Sequence, residues 1–128
     1  MTLLDLGGPV EPAVIIVISV FHRDKPELGL RDTPDEMEIA GGKAKLRKAY
    51  RWLEDWLGAN ELPPHVSLVT CAAAPSLFYA DWVEPIPEEC PRVTALRAEL
   101  IALPEVRRCI EDARPYRPFF PLGAPNRD

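Results

Sequence analysis

Little in this sequence invites a metal ion or a disulfide framework. It has three cysteines, Cys71, Cys90 and Cys109, and two histidines, His22 and His65. The cysteine number is odd, the spacings are wide, and no CxxC pair or Cys/His ligand pattern occurs. That excludes a disulfide scaffold and a zinc-ribbon ligand set, and it fits reduced thiols in the cytoplasm. Long hydrophobic runs are missing as well. The most apolar stretch is Ala13 to Phe21, nine residues, about half of what a membrane span needs. It follows Glu11 and lacks the basic region and small-residue cleavage site of a secretory leader, so no membrane segment is predicted. Excess positive charge is absent too: 15 Lys and Arg stand against 20 Asp and Glu, a net charge of -5. Nucleic acid is therefore not expected as a partner, because phosphate binding needs a basic footprint. Arg107, Arg108, Arg114 and Arg117 gather near the end, but Glu105, Glu111 and Asp112 interleave with them, which reads as a solvated helix face. No Gly-rich phosphate loop, Ser-His-Asp order or paired-carboxylate motif stands out, so no catalytic and no metal-binding residue is assigned.

Apolar residues and prolines are plentiful, at 47% and 15 of 128 residues. A chain of this length suits a single domain that buries roughly two-thirds of its surface. Pro12 to His22 is open to two readings. The run Val14 to Phe21 is continuous and β-branched, which favours a buried strand, whereas Pro12 at a first helical position allows a helix. Asp24 to Asp32 reads as a loop. Thr33 as N-cap, Pro34 at the first helical position and Glu36 at the third then form a strong helix start, with acidic residues in the first turn. Leu46, Ala49, Tyr50, Leu53, Trp56 and Leu57 follow at helical spacing, and Gly58 is placed for a left-handed C-cap. Gly41-Gly42 is the weak point, at about 1 kcal/mol each relative to alanine.

The loop from Ala59 to Val66 contains Pro63-Pro64. A nearly uncharged stretch follows, from Ser67 to Trp82. Ser67 reads as its N-cap, Val66 as a hydrophobic staple, and Pro75 as a kink, since proline cannot donate to Cys71. A helix with so little polar surface is expected to be buried on nearly all sides. Cys71 is accordingly read as a buried, inert thiol, and Asp81 as a capping or surface carboxylate. Pro91 opens a further helix with Val93, Leu96, Leu100 and Leu103 inward. Pro104 starts a short one with Val106, Cys109, Ile110 and Ala113 inward. The prolines of Tyr116 to Asp128 predict a non-helical tail, and its aromatics predict that it packs back over the helices.

Three segments together resemble the C-terminal helical domain of a bacterial glutathione S-transferase. They are Ala49-Tyr50-Arg51-Trp52-Leu53-Glu54; Ser67-Leu68 through Ala72-Ala73-Ala74-Pro75 to Leu77-Phe78-Tyr79-Ala80-Asp81-Trp82; and Ala113-Arg114-Pro115-Tyr116 with Phe119-Phe120-Pro121-Leu122-Gly123-Ala124-Pro125. The resemblance covers about residues 10 to 128. It implies an all-α bundle of about five helices around a central, Pro-kinked buried helix. Residues 1–32 would be a divergent first helix and loop, and residues 115–128 a tail packing back. In that family the central helix opens with a Ser/Thr-x-x-Asp box. Ser67 and Thr70 stand in those places here, so Ser67, Thr70 and Pro75 are the expected capping and folding residues. Threonine in place of aspartate predicts a cap weaker by about 0.5–2 kcal/mol.

The resemblance also implies a wall for an apolar electrophile, formed by Val17, Val20 and Phe21 at the end of the first helix and by Phe78 and Tyr79 on the central helix. Tyr116, Phe119 and Phe120 are further candidates. Core packing is the competing role for each. The family's glutathione-binding and catalytic groups belong to a thioredoxin-like domain, and the residues ahead of Thr33 are too few to encode one. The implied cofactor set of this chain is therefore empty, with glutathione a co-substrate only if such a domain is supplied. The implied partners are a second copy of the chain, as a homodimer, or a separately encoded thioredoxin-like domain. The alternative is a non-catalytic helical interaction module or a truncated fragment.

Overall fold

A computed structural model describes residues 36–120 and 123–128. Four α-helices follow in order: α1 (Glu36–Leu57), α2 (Leu68–Val83), α3 (Pro91–Ala102) and α4 (Pro104–Ala113). A 3-10 helix, Arg114–Phe119, continues from α4. The described residues contain no strand. The ambiguous stretch 12–22 and the Thr33-Pro34 helix start lie outside the described residues, as do Val17, Val20 and Phe21.

Helix α1 passes unbroken through Gly41 and Gly42 and turns one apolar face inward. Leu46, Ala49, Tyr50 and Leu53 from that face are buried with Ala73, Leu77 and Ala80 of α2 and Val93, Leu96 and Leu100 of α3. Burying each large side chain contributes about 1.5–3 kcal/mol. Helix α3 packs against α1, α2 and α4, so it holds the middle of the assembly. The expectation made α2 the central buried helix: ten of its sixteen residues are buried, while among the described helices it is α3 that packs on all the others. Val69, Ala73, Ala74, Leu77, Ala80 and Val83 of α2 face inward, while Leu68, Cys71 and Pro75 lie exposed on the opposite stripe. Low polarity predicted burial on every side; among the described residues this narrow stripe of α2 is left uncovered.

The ends of the helices carry further corrections. Gly58 does not end α1 in a left-handed conformation; among the described glycines only Gly123 has positive φ, at 83°. The Gly58 N–H is shared between the carbonyls of Glu54 (3.2 Å) and Asp55 (3.1 Å), and the Asn60 side chain donates to the Trp56 carbonyl at 3.0 Å. These bonds close the end without an αL residue. A Cβ on Gly58 would stand 3.1 Å from the Asp55 carbonyl oxygen and 3.4 Å from the Arg92 guanidinium, so the glycine permits Arg92 to approach. At the start of α2 the Ser67 N–H donates to Thr70 Oγ1 at 3.2 Å. Ser67 Oγ is placed toward the Thr70 N–H as a capping box requires, and it is buried there without a hydrogen bond of normal geometry. Val66 is 52% exposed and does not staple the helix start.

Pro75 sits inside α2, and the helix continues past it. Lacking an N–H, it leaves the Cys71 carbonyl without the usual donor. One residue further the Ser76 hydroxyl donates to the Ala72 carbonyl at 2.6 Å. The tail is 3-10 helical as far as Phe119, where a non-helical course was expected, and non-helical at 120 and 123–128, as expected. Pro115 and Pro118 are three residues apart, one turn of a 3-10 helix, so both rings share a face and each removes one donor only.

Candidate apolar groove

A buried polar layer fixes the geometry on which the site rests. Glu54 of α1 is 7% exposed, and its carboxylate accepts the backbone N–H groups of Arg92 (3.1 Å) and Val93 (3.0 Å). Those are free donors in the first turn of α3, whose own N-cap, Cys90, makes no side-chain cap bond. Glu54 thus caps a helix 38 residues away in sequence. The Tyr50 hydroxyl donates to the Glu84 carbonyl at 2.8 Å and ties α1 to the end of α2. Burial, reinforced by the nearby Asp81 charge, drives the Tyr50 phenol far above its ordinary pKa.

Of the two roles expected for Asp81, capping or surface carboxylate, burial excludes the second. It accepts the Ile86 N–H at 2.9 Å, stands 3.9 Å from Arg97, and receives Arg127 from the tail. Arg97 is buried on α3 and donates to the carbonyls of Leu77 and Phe78, each at 3.2 Å. Its guanidinium also lies 5.3 Å from the centre of the Phe78 ring. Burial pulls the Arg97 pKa down, and the Asp81 charge opposes that pull.

Above this layer the uncovered stripe of α2, the near side of α4 and the 3-10 helix enclose a groove of about 650 Å³. Its walls are almost wholly apolar. Cys71, Pro75, Phe78 and Tyr79 line one side, Val106, Cys109 and Ile110 the other, and Tyr116, Phe119 and Phe120 one end. The aromatics interlock. Tyr79 stacks on Phe120 at 5.6 Å and 9°, and Trp82 meets Phe120 edge-on at 5.2 Å. Tyr79 also contacts Phe78 and Trp82 edge-to-face at 5.1 and 5.5 Å. Each such pair adds about 0.5–1.5 kcal/mol beyond area burial. Only Glu105 and Arg117 bring charge to the walls, and Arg117 lies 5.0 Å over the Trp82 ring.

The structure brings Phe78, Tyr79, Tyr116, Phe119, Phe120 and Pro75 together on this groove, with Thr70 at its far end. Ser67 is not among its lining residues. Glu54, Arg97 and Arg127 were not singled out from the sequence. The signal for Glu54 was present, since a helix beginning Cys90-Pro91 has no capping side chain of its own and must take a cap from elsewhere. Among the described residues no group of three or more His, Cys, Asp or Glu could hold a metal ion, and no helix is long and apolar enough to cross a membrane.

The cysteines correct the sequence reading most. Cys71 and Cys109 are exposed on opposite groove walls, and only Cys90 is buried. Cys71 belongs to the uncovered stripe of α2. On α4, Ile110 takes the inward position while Cys109 and Ala113 turn outward. Burial, with the Glu54 charge adding to it, pushes the Cys90 thiol up. Titration with an aromatic disulfide at neutral pH is therefore expected to modify Cys71 and Cys109 promptly, and Cys90 only after unfolding. Equal rates at all three would contradict the burial pattern.

Comparison with family models, curated proteins and solved structures finds no match to this chain.

Proposed function

We propose that this chain is a glutathione S-transferase-like helical domain that contributes an apolar wall and a docking face, and that it does not conjugate glutathione alone. The observation that carries this reading is the groove between α2 and α4. It presents Phe78, Tyr79 and the tail aromatics together, the residues that the family resemblance assigns to holding an apolar electrophile. Leu68, 78% exposed, and Phe119, 73% exposed, extend the apolar face. A contiguous face of this kind on a small helical domain is normally covered by a ligand or a partner. A thioredoxin-like domain would cover part of it and bring the glutathione site and the thiol-activating group. The helical half would position the electrophile beside that thiol.

The test is conjugation of glutathione to a chlorodinitrobenzene substrate. The purified chain is expected to run at the uncatalysed rate. Mixed with the isolated thioredoxin-like domain of a bacterial glutathione transferase, it is expected to form a complex by sedimentation velocity and to gain turnover. Turnover by the chain alone, lost on one substitution such as Tyr79→Phe, would contradict the reading. A complex that forms without turnover selects the second reading, a docking module without catalysis, which the exposed apolar face also supports.

A further inference from the structure

The four arginines that the sequence suggested were a solvated face do something more specific. Three of them converge on one carboxylate. Asp128 Oδ2 receives Arg107 at 2.7 Å, and Arg114 reaches Oδ2 at 3.2 Å and Oδ1 at 3.1 Å. Arg117 closes on Oδ1 and also donates to the Arg127 carbonyl at 3.2 Å. Arg97 donates to the main-chain oxygen of Asp128 at 3.2 Å. These bonds, Arg117 first and then Arg114, hold the Asp128 carboxyl far below the usual carboxylate range. Three planar donor groups fixed around two oxygens form a carboxylate cradle, and Asp128 occupies it from within the chain. Opposing negative charge nearby comes from Glu111, which binds Arg114 and stands 3.9 Å from Arg107, and from Glu105 on the groove wall. Arg117 belongs to both features: it lines the apolar groove and holds the carboxylate.

We infer that the groove and the arginine cradle form one binding site for an amphipathic monocarboxylate, with its apolar body in the groove and its head group on Arg117, Arg114 and Arg107 in place of Asp128. The inference rests on the groove being open to ligands, as the proposed function requires. Asp128 is then an internal competitor, and the tail is a strap that the ligand's head group displaces. The groove selects for length and apolarity, and the cradle selects for charge. A neutral alcohol of equal length satisfies the first and not the second.

The experiment compares dodecanoate with dodecanol by calorimetric titration below their micellar or solubility limits, using the full chain. The wild-type protein is expected to bind both, dodecanoate about tenfold more tightly, the size of one charge-assisted contact. Asp128→Ala and Asp128→Asn are each expected to tighten dodecanoate about three- to tenfold and to leave dodecanol unchanged, because they remove the competitor alone. Arg117→Met is expected to abolish the preference. Circular dichroism confirms that each variant is folded, and the two Asp128 variants check one another. Equal affinity for acid and alcohol would overturn the cradle and leave the groove standing. Weakening of both ligands by Asp128→Ala would show that the strap only props the groove, which also overturns the inference. Binding of neither ligand would overturn the groove reading and this inference together.

Discussion

Replacing Glu54 with alanine is expected to cost about 2–4 kcal/mol of stability, the largest single-residue effect outside the apolar core. The side chain is buried and accepts two backbone N–H groups at the start of α3. Removing it strands both donors beside an N-cap cysteine that cannot replace it. Solvent cannot fully compensate, because Val93 is completely buried. Since α3 packs on α1, α2 and α4, fraying its first turn loosens the whole assembly. A loss of that size is a large share of the 5–15 kcal/mol typical of a domain. Glu54→Gln keeps one acceptor but turns an amide N–H₂ toward a donor, so about half the loss is expected. Urea denaturation gives the numbers, and hydrogen exchange at Arg92 and Val93 locates them. A loss under about 1 kcal/mol for Glu54→Ala would show that the cap is dispensable.

Arg97→Met is expected to cost about 3 kcal/mol. The substitution keeps an apolar stem in the same channel but removes donors to the Leu77 and Phe78 carbonyls, the tie to the Asp128 main chain and the cation over the Phe78 ring. Each carbonyl also loses a charge-assisted partner in a buried setting, where such bonds are worth about 1.5–3 kcal/mol. Asp81 keeps the Ile86 N–H and the half-exposed Arg127, so it is not left bare. Combining Arg97→Met with Asp81→Asn should therefore cost less than the sum of the two single changes. Strict additivity would show that the 3.9 Å separation carries no coupling. Because Phe78 and Tyr79 hang from the same turn of α2, Arg97→Met is also expected to weaken apolar ligand binding in the groove.

The helical class was legible in the sequence because its period is a local property. Leu46, Ala49, Tyr50 and Leu53 on α1, and Val93, Leu96 and Leu100 on α3, sit at helical spacing and are buried. Pro91 and Pro104 mark helix starts for an equally local reason, since proline suits a first helical turn. What the sequence hid was relational. Periodicity shows that α2 is apolar on all faces but not which stripe the other described helices leave uncovered. Nor does it show that a carboxylate 38 residues upstream replaces the missing cap of α3. Gly58 was misread because a helix can also end on shared and side-chain bonds, which leave no mark in local spacing. The convergence of the arginines near the end was hidden for a related reason. Their interleaved acids suggested a solvated helix face; Arg107 and Arg114 are half-exposed and do pair with Glu111, but with Arg117 they also converge on an aspartate 11 to 21 residues further on. Of the groove, Phe78, Tyr79 and the tail aromatics were legible as candidates. The two thiols facing into it were not.

Those thiols provide the most direct measurement of the central claim, that the groove between α2 and α4 is the binding face. Cys71 and Cys109 lie on its opposite walls, and Cys90 lies in the core. Maleimide modification, followed site by site by mass spectrometry, is to be run with and without saturating dodecanol. The ligand is expected to slow Cys71 and Cys109 together, about fivefold or more at high occupancy, in proportion to the fraction bound. The isolated thioredoxin-like domain, once docked, should slow them in the same way. Unchanged rates at both thiols in the presence of a ligand shown independently to bind would place the binding face elsewhere and contradict a binding groove between α2 and α4.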